Sequence, residues 1–228
     1  MSDVPRDDAA ADAQVDPWDG DARLVSFFGD AWPAVEAFHA FLVEEGELRG
    51  LIGPRERPRL WERHLLNSAA VVPFLPETGL IVDVGSGAGL PGVVVAAMRP
   101  SSSIVLVEPM DRRVTWLHDV IARTGLSNVE VLRARAQDLD GALEADAVTA
   151  RAVAPLDKLY RWTAPLVRIG GSVIAMKGAR ASEELVAAAE VMRSVGLTQG
   201  QVHEAVTIAG TEPTRIVSVV RGRGPRVR

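Results

Sequence analysis

From residue 80 to residue 220 the hydrophobic positions of this 228-residue chain fall into short continuous apolar runs separated by segments with helical spacing. The runs near 80–84, 103–107, 129–133, 146–150 and 172–176 are rich in Val, Ile and Leu and bounded by glycine, proline or charge, as interior parallel strands are. The segments near 91–98, 111–124, 155–167 and 181–195 predict helices, the first opened by Pro91 in the first-turn position. Strand and helix in alternation predict a doubly wound α/β fold with a mostly parallel sheet. The last two apolar stretches, Gln201–Ala209 and Arg215–Val220, are joined only by Gly210-Thr-Glu-Pro213. That leaves no room for a crossover helix, so the sheet is expected to end in an antiparallel hairpin.

Ahead of the sheet, Leu24, Phe27, Phe28, Trp32, Val35, Phe38, Phe41 and Leu42 recur every three or four residues and predict helices with a packing face, Pro33 opening a new one. These aromatic residues read as core. A basic loop over 49–58 follows, and 59–75 reads as one further helix stopped by Pro73 and Pro76. Residues 1–20, Asp- and Ala-rich, lack the apolar content to pack and read as a disordered acidic tail. The expected division is thus a tail over 1–20, a helical extension over 21–78, a catalytic α/β domain over 79–220 and a short basic tail over 221–228.

Charge and composition narrow the partners. The net charge of −5 conceals a division, because residues 1–48 carry −10 and residues 49–228 carry +5. The body of the protein is mildly basic, with Lys158 and Lys177 its only lysines. Arginine suits phosphates and base edges, although genomic base composition explains the ratio equally well. With no cysteine there are no disulfides or thiolate ligands. His39, His64, His118 and His203 are too scattered to bind a metal at helical spacing, and no metal is expected. No targeting segment or membrane span is visible, and a cytoplasmic protein is expected.

The candidate chemistry lies in Leu80-Ile-Val-Asp-Val-Gly-Ser-Gly-Ala-Gly-Leu-Pro-Gly92, an apolar strand running into a glycine loop. Gly85, Gly87 and Gly89 permit a tight turn and close approach to an adenosine-containing ligand. The glycines alone fit a dinucleotide or an S-adenosylmethionine (AdoMet) site equally well. Asp83 favours AdoMet, since a carboxylate inside the strand end can hold the loop and reach a cationic ligand. Glu108, at the end of the next strand, is placed to grip ribose hydroxyls. The closing hairpin, in place of a second mononucleotide-binding half, is the arrangement of the Rossmann-like class I AdoMet-dependent methyltransferase fold and disfavours a dehydrogenase.

With these motifs placed, the chain resembles the bacterial RsmG (GidB) family, which uses AdoMet to methylate N7 of one guanine in 16S ribosomal RNA. The likeness runs from Trp61 to the final hairpin. It is carried by Trp61-Glu-Arg-His-Leu-Leu-Asn-Ser68, Asp83 to Gly92, Glu108 followed by Arg112-Arg113 and Trp116-Leu117, Arg133-Ala-Arg-Ala-Gln137, Ala150-Arg-Ala152 and Lys177-Gly178. The resemblance implies that Gly85 and Leu90 line the AdoMet site, that Glu108 takes the ribose, that Ala136 and Gln137 lie beside the adenine, and that Arg151 reaches the cofactor. On the substrate side stand His64, which the family motif includes, Arg63 as a contact for RNA phosphate, and Arg151 and Lys177, each following an apolar strand at the expected ligand edge. The implied partner is 16S rRNA, within the small subunit or an assembly intermediate. Gln137 and Asn67 depart from the glutamate and aspartate common in the family, so no acid at 67 is assigned to catalysis. Guanine N7 has an exposed lone pair and no proton to lose, so no general base is expected either. His64 reads equally as a packed histidine, and Arg112 and Arg113 as arginines in surface ion pairs. A methyltransferase for a small molecule or a protein, and a non-catalytic RNA-binding protein with this fold, remain alternatives at this stage.

Overall fold

A computed structural model describes residues 15–223. The N-terminal part holds α1 (Ala22–Phe28), α2 (Trp32–Glu45), a π-helix (Trp61–Leu66) and the single turn α3 (Asn67–Ala69). The α/β part follows as β1 (Gly79–Val84), α4 (Gly92–Met98), β2 (Ser102–Val107), α5 (Asp111–Thr124), β3 (Val129–Leu132) and β4 (Ala145–Arg151). It continues through α6 (Leu156–Thr163), β5 (Val167–Lys177), α7 (Ala181–Ala187), α8 (Ala189–Ser194), β6 (Leu197–Ala205) and β7 (Thr214–Arg221). The sheet order is β3-β2-β1-β4-β5-β7-β6. Strands β1 to β5 are parallel, and β7 is antiparallel to both β5 and β6. The doubly wound sheet closing in an antiparallel hairpin is as the hydrophobic pattern predicts.

Period-two alternation assigns each side chain of β1 and β2 to a face. Ile81, Ile104 and Leu106 join α2, α4, α5 and the π-helix in one core, while Val82, Val84, Val105 and Val107 join α6 in the other. Asp83 shares the face of Ile81, which aims its carboxyl at the start of α4. The helical extension is continuous with the first of these cores: Leu24, Phe28, Phe38, Phe41 and Leu42 are buried in it. Phe27 and Trp32 pack against it only partly buried.

Four expectations are corrected. The segment over 59–75 is not one helix: short 3-10 turns flank a π-helical stretch, in which the Asn67 N–H reaches back to the carbonyls of Glu62 and His64. The helix expected over 181–195 is broken at Ala188, a buried residue with a ψ of 0°. Pro91 precedes its helix instead of opening it, since α4 begins at Gly92. Finally, residues 15–20 are not a solvated tail, because Asp16 and Trp18 are buried. Asp16 could not be foreseen, its partners being backbone N–H groups as far as 45 residues away. At the other end, Arg221 closes β7, its guanidinium bonded to the carbonyls of Ala164 and Val167. The rest of both expected tails, residues 1–14 and 224–228, lies outside the described residues.

Candidate active site

The carboxyl ends of β1, β2, β4 and β5 bring the candidate residues to one edge of the sheet, where open α/β folds bind ligands. Three cavities lie along it. One of about 370 Å³ is walled by Gly85, Glu108, Met110, Ala136, Gln137 and Trp162. A second, of about 610 Å³, is walled by Arg63, His64, Asn67, Lys177, Glu212 and Thr214. A third, of about 190 Å³, lies between them against Gly85, Gly87, Leu90, His64 and Arg113. Arg151 and Ala152 border all three.

Glu108 is buried at the floor of the first cavity. Its Oε2 accepts the Gly87 N–H at 3.0 Å and its Oε1 the Met110 N–H at 3.0 Å. A carboxylate so engaged keeps lone pairs for two hydroxyl donors while it holds the glycine loop in place. Arg113 stands 3.7 Å away, so it pairs with this buried acid and is no simple surface ion pair. Arg112 is exposed on the same helix. Gly85 has a left-handed φ of +73°, and a Cβ built there would come within 2.8 Å of Val153 Cγ2. Gly89 lines none of these cavities: it lets the loop pack on α4 and α2, where a Cβ would stand 2.8 Å from Val93 Cγ2 and 3.2 Å from Phe38 Cζ.

Asp83 takes half of its expected part. It is fully buried and lines none of the three cavities. Its Oδ2 accepts the Gly92 N–H at 3.1 Å and so anchors the start of α4, an anion at a helix N-terminus. Burial pushes its pKa up to about 6, against the pull of the Gly92 hydrogen bond and the Arg151 charge. Because the folded protein holds this proton more tightly than the unfolded chain, the stability Asp83 contributes is full below about pH 4 and lost as pH rises through about 6. Urea unfolding of the wild type and Asp83→Asn is expected to show the wild type losing about 2 kcal/mol relative to the variant between about pH 4 and pH 7. A pH-independent difference would refute the raised pKa.

The second cavity is organised by Arg151 at the end of β4. Its Nη1 donates to Asn67 Oδ1 at 3.2 Å and to the Arg63 carbonyl at 3.3 Å, and its Nη2 lies 3.3 Å from His64 Nδ1. On the other side, His64 Nε2 is 2.8 Å from Glu56 Oε2. With an obligate donor at Nδ1 and a carboxylate at Nε2, the network assigns the neutral tautomer protonated at Nε2. Burial, helped by the Arg151 charge, pushes the imidazole pKa below its ordinary value. Burial also lowers the Arg151 pKa to about 10, which leaves the guanidinium charged at neutral pH. Asn67 supplies an acceptor and a donor at once, its Nδ2 bonding Thr214 Oγ1 at 2.7 Å. An ionised aspartate could not donate to that hydroxyl.

Lys177 and Arg63 are placed differently from each other. The Lys177 ammonium donates to the Ala154 carbonyl at 2.9 Å and lies 2.7 Å from Glu184 Oε2, so its charge is committed inside the wall. The Arg63 side chain is exposed at the cavity mouth. Glu56, Trp162 and Thr214 were not singled out in the sequence. Glu56 had one usable signal, the lone acid among Arg55, Arg57 and Arg59. Trp162 and Thr214 had none, and Ala152, with a φ of 55°, was visible only as part of the Ala-Arg-Ala motif.

The strand order, the antiparallel seventh strand and the ligand edge together define a class I methyltransferase fold. Solved structures agree. A precorrin-6y C5,15-methyltransferase from Geobacter metallireducens superposes with a TM-score of 0.52 at 15% identity, covering 75% of this chain and 91% of its own. TYW2 of M. jannaschii, solved in complex with AdoMet, superposes with a TM-score of 0.53 at 16% identity over 68% of this chain and 72% of its own. The sequence is more specific. A family profile described as rRNA small subunit methyltransferase G matches residues 32–211. Ribosomal RNA small subunit methyltransferase G of Beutenbergia cavernae is 51% identical over 191 residues, 84% of this chain and 90% of the relative. The protein of that name from Leifsonia xyli subsp. xyli is 54% identical over 169 residues, 74% of this chain and 80% of the relative. The chain belongs to the rRNA small subunit methyltransferase G family.

Proposed function

We propose that this protein transfers the methyl group of AdoMet to N7 of a specific guanine in 16S rRNA of the small ribosomal subunit. The observation that carries the reading is that Arg151 and Ala152 border both the cavity floored by Glu108 and the cavity walled by Arg63, His64 and Asn67. One ligand on each side would meet across this shared wall.

The residues present fit AdoMet. Glu108 has acceptor capacity for a ribose diol, Ala136 and Gln137 line the same cavity and would lie beside the adenine, and Gly85 and Leu90 line the third cavity. When bound, AdoMet supplies an electrophilic sulfonium methyl group. The chain's own work is to orient the two reactants. His64 is held from both sides, and its nearest acid, Glu56, is occupied by it, so neither is free to take a proton. None needs to be taken, because N7 attacks through a lone pair. Alignment of two reactants in this way can supply about 7–11 kcal/mol at the favourable limit. Of the five guanidinium N–H groups of Arg151, three are engaged within the protein, which leaves two for a base or cofactor edge. Arg63 at the mouth is placed for RNA phosphate.

The test is to incubate the purified protein with AdoMet and small subunits from cells lacking the gene, then identify methylated nucleosides by mass spectrometry. One new 7-methylguanosine at a single site is expected. No methylation of subunits or of their extracted RNA, beside an active control enzyme, would overturn the assignment.

A further inference from the structure

The three groups that hold Arg151 from the substrate side, the Arg63 carbonyl, His64 Nδ1 and Asn67 Oδ1, all come from the π-helix and the residue after it. π-Helical turns are rare and concentrate at functional sites, because the widened turn displaces side chains from α-helical register. Such a turn needs fixing at its ends. Its first backbone donor, the Trp61 N–H, has no helical partner, and it donates to Asp16 Oδ2 at 2.9 Å. The indole of the same residue donates from Nε1 to Asp19 Oδ1 at 2.8 Å. The Trp61 ring is stacked on His39 at 4.2 Å and on Trp32 at 5.5 Å. Asp16 is itself folded into place: its Oδ1 accepts the Trp18 N–H, and its carbonyl accepts the Asp19 N–H. Trp18 is buried under the Arg23 guanidinium.

We infer that Asp16 and Asp19 are positioning residues for the site: they latch the segment before α1 onto Trp61, and through the π-helix they set His64 and Asn67 against Arg151. Asp16 and Asp19 lie ahead of residues 32–211, the part matched by the family profile, and Trp61 lies within it. Asp16 touches none of the three cavities and so acts only through Trp61. An anion at this helix start also has a favourable interaction with the exposed N–H groups of the turn. Trp61 is fixed by the latch, and Arg63, His64 and Asn67 by Arg151, so loosening one end releases the geometry at the other.

As a statement about activity this rests on the proposed methyl transfer; as a statement about structure it does not. Both are read in the full chain. In Asp16→Ala, amide hydrogen exchange across 61–68 is expected to rise at least about tenfold while β1 and β4 keep their protection. AdoMet affinity by calorimetry should stay within about twofold, because the Glu108 end is untouched. Methyl transfer at saturating AdoMet should fall at least about fivefold, and Asp16→Asn, which keeps a carbonyl acceptor, should recover part of it. In a His64→Ala background the same substitution should have little further effect, since two residues on one route are not additive. A purely stabilising role would lower the melting temperature and leave the rate per folded molecule and this coupling unchanged. Should Asp16→Ala not fold, Trp61→Phe removes the Asp19 bond while keeping the stacked ring, and the same readouts apply. Unchanged exchange at 61–68, or a wild-type rate in the folded variant, would overturn the latch. A wild-type enzyme that methylates no ribosomal RNA would instead overturn the substrate assignment, with the exchange measurement still deciding the latch.

Discussion

Arg151→Ala is expected to abolish methyl transfer in a folded protein, by about 1,000-fold or more, which corresponds to about 4 kcal/mol of lost transition-state stabilisation. The guanidinium borders all three cavities and is the common donor to the Arg63 carbonyl, His64 Nδ1 and Asn67 Oδ1. Its removal takes this shared donor from all three acceptors and leaves His64 and Asn67 held only from their far sides, by Glu56 and Thr214. Two titrations should follow. The Arg151 charge lowers the pKa of His64 and of Asp83, so both should rise in the variant. Arg151→Lys keeps a charge but not the planar fork that spans three acceptors, and should recover only a small part of the activity. Single-turnover transfer with saturating AdoMet, beside a circular dichroism spectrum, makes the measurement. Wild-type turnover in the alanine variant would remove Arg151 from the site.

The second large effect is expected at Gly85→Val, which should weaken AdoMet binding by at least about 100-fold, or about 2.7 kcal/mol. The position combines a φ of +73° with a Cβ approach of 2.8 Å to Val153. A branched side chain therefore strains the backbone and pushes on the loop after β4 that also carries Ala152. The glycine loop cannot move aside freely, because the Gly87 N–H two residues on is held by Glu108. Gly125→Ala is the control: its φ is +69°, and no neighbour lies near a Cβ built there. It should cost some stability at the end of α5 and leave AdoMet binding intact. Calorimetric titration that finds unchanged binding in Gly85→Val would refute the cofactor assignment.

The strands, their parallel order and the glycine loop were legible in the sequence because they rest on local rules. An interior strand must be apolar on both faces, a loop that passes a ligand closely must carry glycine, and a connection too short for a crossover helix forces a hairpin. Ile81 and Val82 face opposite cores for no reason beyond the two-residue period. The positions of Asp83 and Glu108 at successive strand ends followed from the same periodicity.

What the chain does with those positions was decided by contacts distant in sequence. Trp61 meets Asp16 across 45 residues, Arg151 meets Asn67 across 84, and Asn67 meets Thr214 across 147. No periodicity encodes such pairs, since each depends on how two elements pack after both have formed. Burial then changed the chemistry of the groups. Lys177, a cation at a strand end in the sequence, is paired with Glu184 and donates to the Ala154 carbonyl, and Asp83, an acid aimed at a ligand in the sequence, anchors a helix with a raised pKa. Desolvation and pairing are properties of the assembled interior. The sequence by itself determined the architecture and the edge of the sheet that gathers the candidate residues, while the tertiary structure alone decided which of their side chains are tied up in the interior.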